Sequence, residues 1–440
     1  MDPLLLRFYE RELEFIREMG AEFSREYPKI AGRLGIDGAE TSDPYVERLY
    51  EGFAFLAARV QLRVDAEYPQ FTQNLLNIVY PQYLSPLPSM GIVQFHPNTV
   101  DGLEDGVPIP RHTRLRANLA EAEQTACEYR TAHEVTLWPL NIVEAEYFTN
   151  IGPYAQIGSR VGRTIRAGLR LRLQSSSGQP LSELLIGSLP LYLNCGEAQA
   201  MALYEQVIGN TCAVVHKPVQ STTEWQEILP TGAVSQLGFE DDQALLPVDP
   251  RTFSGYRLLA EYFAFAGRYL FFQLEQLHRA FSKCRDSEID IVLLFDQLNP
   301  ELENRVTTDD FALFCTPAIN LFPKRCDRIH LSDKDDEYHV VADRTRPMDF
   351  EVYQVSDVLG HGVATDDAQV FLPFYACNDL SRFPEHEAFF TERRERRLLS
   401  SKQRRQGARS SYIGSETFVS LVDVNETPYA SELKQLEVRA

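Results

Sequence analysis

The chain has 440 residues, of which 44% are hydrophobic and 11% aromatic, and its formal net charge is −20 at pH 7. This length exceeds what one hydrophobic core normally organises, so two or three domains are expected. The charge argues against a general binder of nucleic acid or of anionic membranes, because both attract positive fields. No run of about 18 uncharged apolar residues occurs, so no membrane insertion is predicted.

The cysteines and the N-terminus bear on the cellular compartment. The acidic Asp2 and the early charges Arg7 and Glu10 do not fit a secretory signal peptide. We therefore interpret the cysteines as reduced thiols that mostly serve as small core residues, as expected in the cytoplasm. They number seven: Cys127, Cys195, Cys212, Cys284, Cys315, Cys326 and Cys377.

Residues 1–88 have a helical pattern throughout. A first helix is predicted over 4–27 from apolar residues at steps of three and four, with Glu12 inside the stripe. A bare carboxylate there needs a partner, and we expect an arginine of the next helix. That helix is predicted over 43–69, with Asp43 as N-cap and Pro44 at the first helical position. Its stripe consists of Val46, Leu49, Phe53, Leu56, Val60 and Val64.

A third, short helix is predicted over 71–79, and Pro81, Pro86 and Pro88 mark a domain boundary.

Residues 89–250 change to a period of two. Leu169, Leu171 and Leu173 alternate with Arg170 and Arg172, as in a half-buried strand. Similar segments recur between Gly, Pro, Asn and Ser breaks, which predicts a mainly antiparallel β domain. Residues 251–440 are predicted to form a mixed domain with a helix over 255–264 and several strands. The fold class is therefore α+β, a helical N-terminal region followed by mainly antiparallel β domains with some helices.

Signatures of catalysis are mostly absent from the sequence. It has no phosphate-binding glycine loop followed by Lys and Ser or Thr, no CxxC pair and no HExxH motif. His133 and Glu134 begin a zinc motif without its second histidine. The acidic residues Asp335, Asp336 and Glu337 lack the glycine and final glutamate of a calcium loop, so a solvated turn fits them better. We name no catalytic, cofactor-binding or metal-binding residue and expect no cofactor.

Three clusters could instead contact other proteins, each with a plainer alternative. Packing against the first helix explains the stripe of residues 43–69 equally well. Aromatic residues dominate both protein interiors and interfaces, so a domain core is the default for the aromatic stretch 253–281. The basic stretch 393–409 fits a solvated loop, a docking patch for an acidic partner or for this chain's own acidic surface, or a nucleic-acid patch. The scarcity of interleaved aromatic residues speaks against base stacking there.

Long blocks of the sequence match a known family. The segments 4–35 and 43–90 closely resemble the start of the TssF family, also called VasA or ImpG, and so do the blocks 251–272, 314–331, 343–355 and 397–423. The resemblance implies a structural baseplate subunit of the bacterial type VI secretion system, similar to wedge proteins of contractile-phage baseplates and without catalysis or a cofactor. Family members usually extend further, so a C-terminal portion is expected to be absent from this chain.

The resemblance also implies the partners. Two TssF copies assemble with one TssG through helices, TssK and TssE complete the wedge, and six wedges surround the VgrG hub and seed the sheath. The location implied is the cytoplasm, at the inner face of the inner membrane. The candidate interface residues are Val46, Leu49, Phe53, Leu56, Val60, Phe263, Phe265, Tyr269, Phe272, Arg393, Arg394, Arg396, Arg397, Arg404 and Arg405.

Two other functions stay open at this point. A contractile-phage or phage-derived tail baseplate protein would carry the same blocks, and the sequence separates it poorly from a secretion component. An enzyme with a site on the β scaffold, in a pocket of the aromatic stretch, is the alternative from another class.

Overall fold

The chain divides into two compact units. A computed structural model describes residues 3–38, 40–97, 103–119, 125–219, 225–249, 252–332, 334–362, 368–374, 388–398, 412–423 and 433–440. The first unit comprises Met1–Ser85, Ile329–Val340 and Val358–Leu436, and the second Pro86–Arg328, Val341–Asp357 and Glu437–Ala440. The fold class is confirmed, since helices come first and mostly antiparallel sheets follow. The division at residues 88 and 250 stays a prediction.

Helices form the N-terminal part of the first unit. They are α1 (Pro3–Glu26), α2 (Pro28–Arg33) and α3 (Pro44–Val79), with the short paired strands β1 (Ile36–Asp37) and β2 (Glu40–Thr41) before α3. The predicted break between residues 69 and 71 was wrong, because α3 continues through Pro69 as one helix of 36 residues. The apolar period stays in phase across that proline, so a single continuous helix keeps its apolar residues on one face.

Among the described residues, the second unit contains most of the strands and four helices. The helices are α4 (Ala155–Val161), α5 (Glu197–Tyr204), α6 (Ser254–Phe265) and α7 (His278–Phe281). The strands are β3 (Met90–Gln94), β4 (Val107–Ile109), β5 (Arg114–Arg116), β6 (Glu128–Thr131), β7 (Val135–Leu137), β8 (Leu140–Phe148), β9 (Ala167–Ser175), β10 (Leu189–Leu193), β11 (Thr211–Pro218), β12 (Glu227–Leu229), β13 (Val234–Gln236), β14 (Phe271–Leu274), β15 (Glu288–Phe295), β16 (Phe311–Leu313) and β17 (Cys315–Ile319).

An antiparallel sheet with the order β12-β11-β15-β9-β8 organises the core of this unit. The predicted alternation of β9 is confirmed, with Leu169, Leu171 and Leu173 fully buried while Arg170 and Arg172 lie on the other face. Arg172 Nε donates to Asp290 Oδ1 on β15 at 2.8 Å. Two further sheets, β13-β14-β10-β16 and β3-β17-β6-β5, and the pair β4-β7 complete the unit.

The remaining strands form one sheet that belongs mainly to the first unit. They are β18 (Ile329–His330), β19 (Tyr338–Val340), β20 (Asp357–Gly362), β21 (Gln369–Pro373), β22 (Ala388–Arg396), β23 (Ser415–Asp423) and β24 (Leu433–Arg439), in the spatial order β18-β24-β20-β21-β22-β23-β19. The pair β21–β22 is parallel, and the long pair β22–β23 is antiparallel. Within the described residues, no helix combines the length and the apolar character needed to cross a bilayer.

Candidate protein–protein interface

Helix α3 is well defined at both ends. Asp43 Oδ1 accepts a hydrogen bond from the backbone N–H of Tyr45 at 2.9 Å, and Pro44 occupies the first helical position, as predicted. At the other end the N–H of Tyr80 donates to the carbonyl of Leu76 at 2.7 Å, and Pro81 follows. These contacts fix a helix about 54 Å long, at 1.5 Å per residue.

Small residues lie on the side of α3 that packs against α1. Ala54 and Ala58 are fully buried, and Gly20 on α1 is also buried. A Cβ atom on Gly20 would lie 3.5 Å from the Tyr50 hydroxyl oxygen, which shows how closely the helices approach. Because these residues are small, the contact brings the backbones together but buries little apolar side-chain area.

The ion pair between the two helices differs from the one expected. Glu12 pairs with Arg11 of the same helix at 3.6 Å, not with an arginine of α3. The pair that joins the helices is Arg17 on α1 with Glu47 on α3. The acid and the base are therefore exchanged between the helices, since Glu47 is half-buried on the same side of α3 as the buried alanines, whereas Arg48, Arg59 and Arg63 are exposed.

A long apolar stripe on α3 faces solvent. Its members recur at steps of three or four, so they share one face along nearly the whole helix. They are 49–86% exposed: Tyr45, Leu49, Phe53, Leu56, Val60, Val64, Tyr68, Phe71, Leu75 and Ile78. We call this set the α3 stripe. Single exposed apolar residues are ordinary in proteins, but a contiguous stripe of this length is typical of an interaction surface.

The position of the α3 stripe distinguishes between the two explanations considered from the sequence. Leu49, Phe53, Leu56 and Val60 are exposed, so packing against α1 does not account for them. Val46 is half-buried at the edge of the stripe. The second half of the stripe, from Tyr68 to Ile78, was not predicted from the sequence. The signal was present, since the same period continues beyond Pro69.

The four candidate residues of the aromatic stretch lie partly in the core and partly on the surface. Phe272 on β14 is fully buried, and Tyr269 is buried in the turn that precedes that strand. Phe265 is half-buried against a small cluster that includes Leu245 and Leu246. Phe263, by contrast, is 82% exposed on α6. Of the four aromatic residues named from the sequence, Phe263 is therefore the one available to a partner.

The described arginines of the basic stretch make contacts within the first unit. Arg393 Nε donates to Glu337 Oε1 at 2.7 Å, and its guanidinium lies 5.2 Å from the ring centre of Phe418. Arg394 Nη2 donates to Glu392 Oε1 at 2.9 Å, and Arg397 pairs with Glu416 at 3.7 Å.

These contacts match the alternative in which the arginines bind this chain's own acidic residues. Arg396 is exposed at the end of β22. Arg404 and Arg405 lie outside the described residues.

The histidine, cysteine and acidic side chains considered for catalysis or metal binding form no metal-binding group in the described part of the chain. Across those residues, no group of three or more His, Cys, Asp or Glu side chains is arranged to hold a metal ion. His133 is buried, and burial lowers its pKa to about 3, with nearby Arg268 and Arg111 acting in the same direction. Burial likewise raises the pKa of the Cys315 thiol to about 12 and of the Cys326 thiol to about 11. Both cysteines are core residues, whereas Cys127 is exposed and Cys377 lies outside the described residues.

The chain is similar to known proteins along its whole length. The model of the family described as "Type VI secretion system, TssF" matches residues 1–440. A Pseudomonas aeruginosa protein named "Type VI secretion system component TssF1" is 53% identical over 443 aligned positions, which cover 100% of this chain and 71% of that protein. These matches define the chain as a component of type VI secretion systems. More narrowly, it belongs to the TssF family, so the resemblance seen in the sequence is confirmed.

The fold also has a solved counterpart. A chain in a cryo-electron microscopy structure of the type VI secretion system TssK-TssF-TssG baseplate subcomplex superposes with a TM-score of 0.67. It is 24% identical in sequence, and the match covers 90% of this chain and 67% of that one. The architecture described above is therefore a known fold.

Proposed function

We propose that this chain is a structural subunit of a type VI secretion baseplate, and that the α3 stripe is where it binds helices of a partner subunit. The observation that carries the proposal is the stripe itself, about 50 Å of exposed apolar helix at 1.5 Å per residue. Burying one large apolar side chain completely is worth about 1.5–3 kcal/mol. A stripe of this length can therefore offset an association cost of about 4–15 kcal/mol.

The proposed partners follow from the family and from the composition of the similar solved complex. TssG and TssK stand beside TssF in that complex. We place a TssG-like protein on the α3 stripe, with a second copy of this chain in the same wedge and a TssK-like protein attached to it. TssE and the VgrG hub are included as proposed neighbours in the complete baseplate. The proposal contains no catalytic residue and no cofactor, and it places the assembly in the cytoplasm, at the inner face of the inner membrane.

Co-expression with the TssG homologue of the same bacterium tests the proposal. Size-exclusion chromatography with light scattering is expected to show a complex of two copies of this chain with one TssG. The double variant Leu49→Asp, Phe53→Asp should weaken the complex at least about 100-fold, since truncated or charged anchors at an interface centre typically cost 2 kcal/mol or more. The control is Ala66→Asp, which introduces one aspartate, against two in the double variant, at an exposed position of α3 outside the stripe.

Two outcomes would contradict the proposal. One is a wild-type chain that stays monomeric in the presence of TssG. The other is a double variant that assembles as tightly as Ala66→Asp. The variant should keep its helical circular dichroism in either case, because both substituted side chains are exposed in the chain alone.

A further inference from the structure

Helix α6 in the second unit has its polar and apolar faces reversed. Its two charged residues, Arg257 and Glu261, are buried. The residues that face solvent are aromatic or aliphatic and recur at steps of three or four. They are Tyr256, Leu259, Tyr262 and Phe263, with Phe253 just before the helix. We call these five residues the α6 face.

Glu261 is the centre of the contacts that hold the helix in this orientation. Its Oε1 accepts hydrogen bonds from the backbone N–H groups of Leu245 at 3.1 Å and Leu246 at 2.9 Å. Arg257 Nη1 lies 3.3 Å from its other oxygen. A carboxylate with no solvent exposure requires such donors, because an unpaired buried charge is very costly.

Two arginines connect Glu261 to the surrounding chain. Arg268, which is fully buried, pairs with Glu261 and donates to the backbone carbonyls of Gly238 at 2.9 Å and Gln243 at 2.7 Å. Arg257 Nη2 reaches Asp241 Oδ1 at 2.9 Å. The ionic contacts therefore come from the turns before α6 and from the segment after it.

This arrangement fixes which side of α6 faces outward. Rotating the helix to bury its apolar residues would expose or unpair Arg257 and Glu261 and remove their partners. Buried ion pairs add little net stability, but breaking one leaves an uncompensated charge. The buried contacts of Arg257 and Glu261 thus keep the α6 face exposed to solvent, and weak packing of that face is not the cause.

The charges around the α6 face indicate what binds to it. The helix carries no charge on its outer side, and the adjoining turn contributes Glu240, Asp241 and Asp242, all three of which are exposed. A second copy of this chain would bring the same acidic turn against itself, which is unfavourable. A membrane-binding helix would carry lysine and arginine on its polar face, but the charged residues of α6 are buried.

We propose that the α6 face docks an apolar segment flanked by basic residues, belonging to another protein subunit of the same assembly. This inference rests on the proposed baseplate function and adds a surface that is separate in sequence from the α3 stripe. The apolar segment covers Leu259 and Phe263, while its basic flank pairs with the acidic turn at Asp242.

The test uses the complex of this chain with the TssG and TssK homologues of the same bacterium. Hydrogen–deuterium exchange of α6 is measured in the chain alone and in the complex, and at least about 10-fold slower exchange is expected on binding. The variant Leu259→Ser, Phe263→Ser should lose this protection and weaken assembly at least about 100-fold. Both side chains are exposed, so the variant is expected to fold, which circular dichroism checks.

The charge of the partner is tested separately. Asp242→Lys should weaken assembly about 10-fold at low salt, and the effect should fade near 0.5 M salt because exposed charges are screened. Glu301→Lys makes the same charge change at an exposed position elsewhere in the second unit and should have no effect. If the two substitutions have equal effects, or if the effect of Asp242→Lys does not depend on salt, the prediction that basic residues flank the docked segment is wrong.

The outcomes separate this inference from the proposed function. If the wild-type complex forms and loses assembly with Leu49→Asp, Phe53→Asp, but α6 is unprotected, only the α6 proposal fails. If no complex forms with wild-type protein, both fail. A dimer of the chain alone that requires Phe263, or Phe263-dependent binding to vesicles of phosphatidylcholine and phosphatidylglycerol, would also overturn the proposal by assigning the face to another occupant.

Discussion

Glu261 and Arg268 form an ion pair in which neither side chain is exposed to solvent. Burial lowers the pKa of Arg268 to about 10, which leaves it charged at neutral pH. The pair is therefore a charged contact inside the second unit, and its stability depends on each member keeping its partner. It also links the interior to the surface, because Glu261 belongs to the helix that displays the α6 face.

Neutralising the carboxylate should be costly. Glu261→Gln leaves the buried guanidinium groups of Arg257 and Arg268 without their shared anion, so the free energy of unfolding is expected to fall by about 3–5 kcal/mol. Urea denaturation followed by circular dichroism measures the change. The exposed Glu301→Gln serves as the control. A loss below about 1 kcal/mol would mean that solvent or a shifted side chain compensates the arginines.

Two buried histidines should make the folded chain sensitive to acid. Burial lowers the pKa of His216 to about 4 and that of His133 to about 3. An unfolded histidine has a pKa of about 6.5, so below that pH the unfolded chain binds protons that the folded chain does not. Stability should therefore fall as the pH decreases from about 6.5 to about 4, by up to about 1.4 kcal/mol per pH unit for each histidine.

Replacing one of these histidines shows how much it contributes to the pH dependence of the free energy of unfolding. His216→Gln should reduce the slope of unfolding free energy against pH by up to about 1.4 kcal/mol per unit between pH 6 and 5. Urea titrations at several pH values provide the slopes. Above about pH 7.5 the variant and the wild type should run parallel, because neutral histidines bind no proton in either state. Equal slopes between pH 6 and 5 would show that His216 is protonated in the folded chain.

Local sequence pattern predicted the elements better than it predicted their surroundings. The alternation of leucine and arginine gave β9 correctly, and Asp43 with Pro44 located the start of α3. Periodicity shows that Leu49 and Phe53 share a face, but it contains no information about what covers that face. In this chain the buried side of α3 carries alanines, and the large apolar residues lie on the opposite side.

Composition was a weaker guide in the aromatic stretch. Phe263 and Phe272 lie nine positions apart, yet one is exposed on α6 and the other is fully buried on β14. The difference arises because Glu261 accepts a hydrogen bond from the backbone of Leu245 and pairs with Arg268. These contacts orient α6 so that Phe263 faces solvent. The backbone donors of Leu245 and Leu246 come from a turn outside the helix, so the pattern of α6 alone could not show that it would bury its charges.

Gly168 on β9 should tolerate no side chain. Its pairing partner on β8 is Phe148, and a Cβ atom on Gly168 would lie 2.3 Å from Phe148 Cζ. Gly168→Ala is expected to lower the free energy of unfolding by about 1–3 kcal/mol, because the ring must move within a packed sheet. Chemical denaturation measures the loss, and adding Phe148→Leu should restore part of it.

A second glycine provides the matched comparison for that substitution. Gly91 also lies in a strand, β3, but a Cβ atom there would meet no other atom within 4 Å. Gly91→Ala should therefore be neutral or slightly stabilising, by less than about 1 kcal/mol. If both alanine variants lose equal stability, the cost comes from the strand backbone and not from the ring of Phe148.

The two sides of α3 should respond oppositely to substitution in the chain alone. Ala58→Leu enlarges a fully buried residue and is expected to destabilise the helical part of the first unit by about 1–3 kcal/mol. Phe53→Ser, on the α3 stripe, should change the stability of the isolated chain by no more than about 0.5 kcal/mol, because the ring is already in water. Hydrogen–deuterium exchange of α1 and α3 measures both effects. A Phe53→Ser variant whose helices exchange as fast as those of Ala58→Leu would show that the stripe packs within the chain, and would remove the basis for assigning it to a partner.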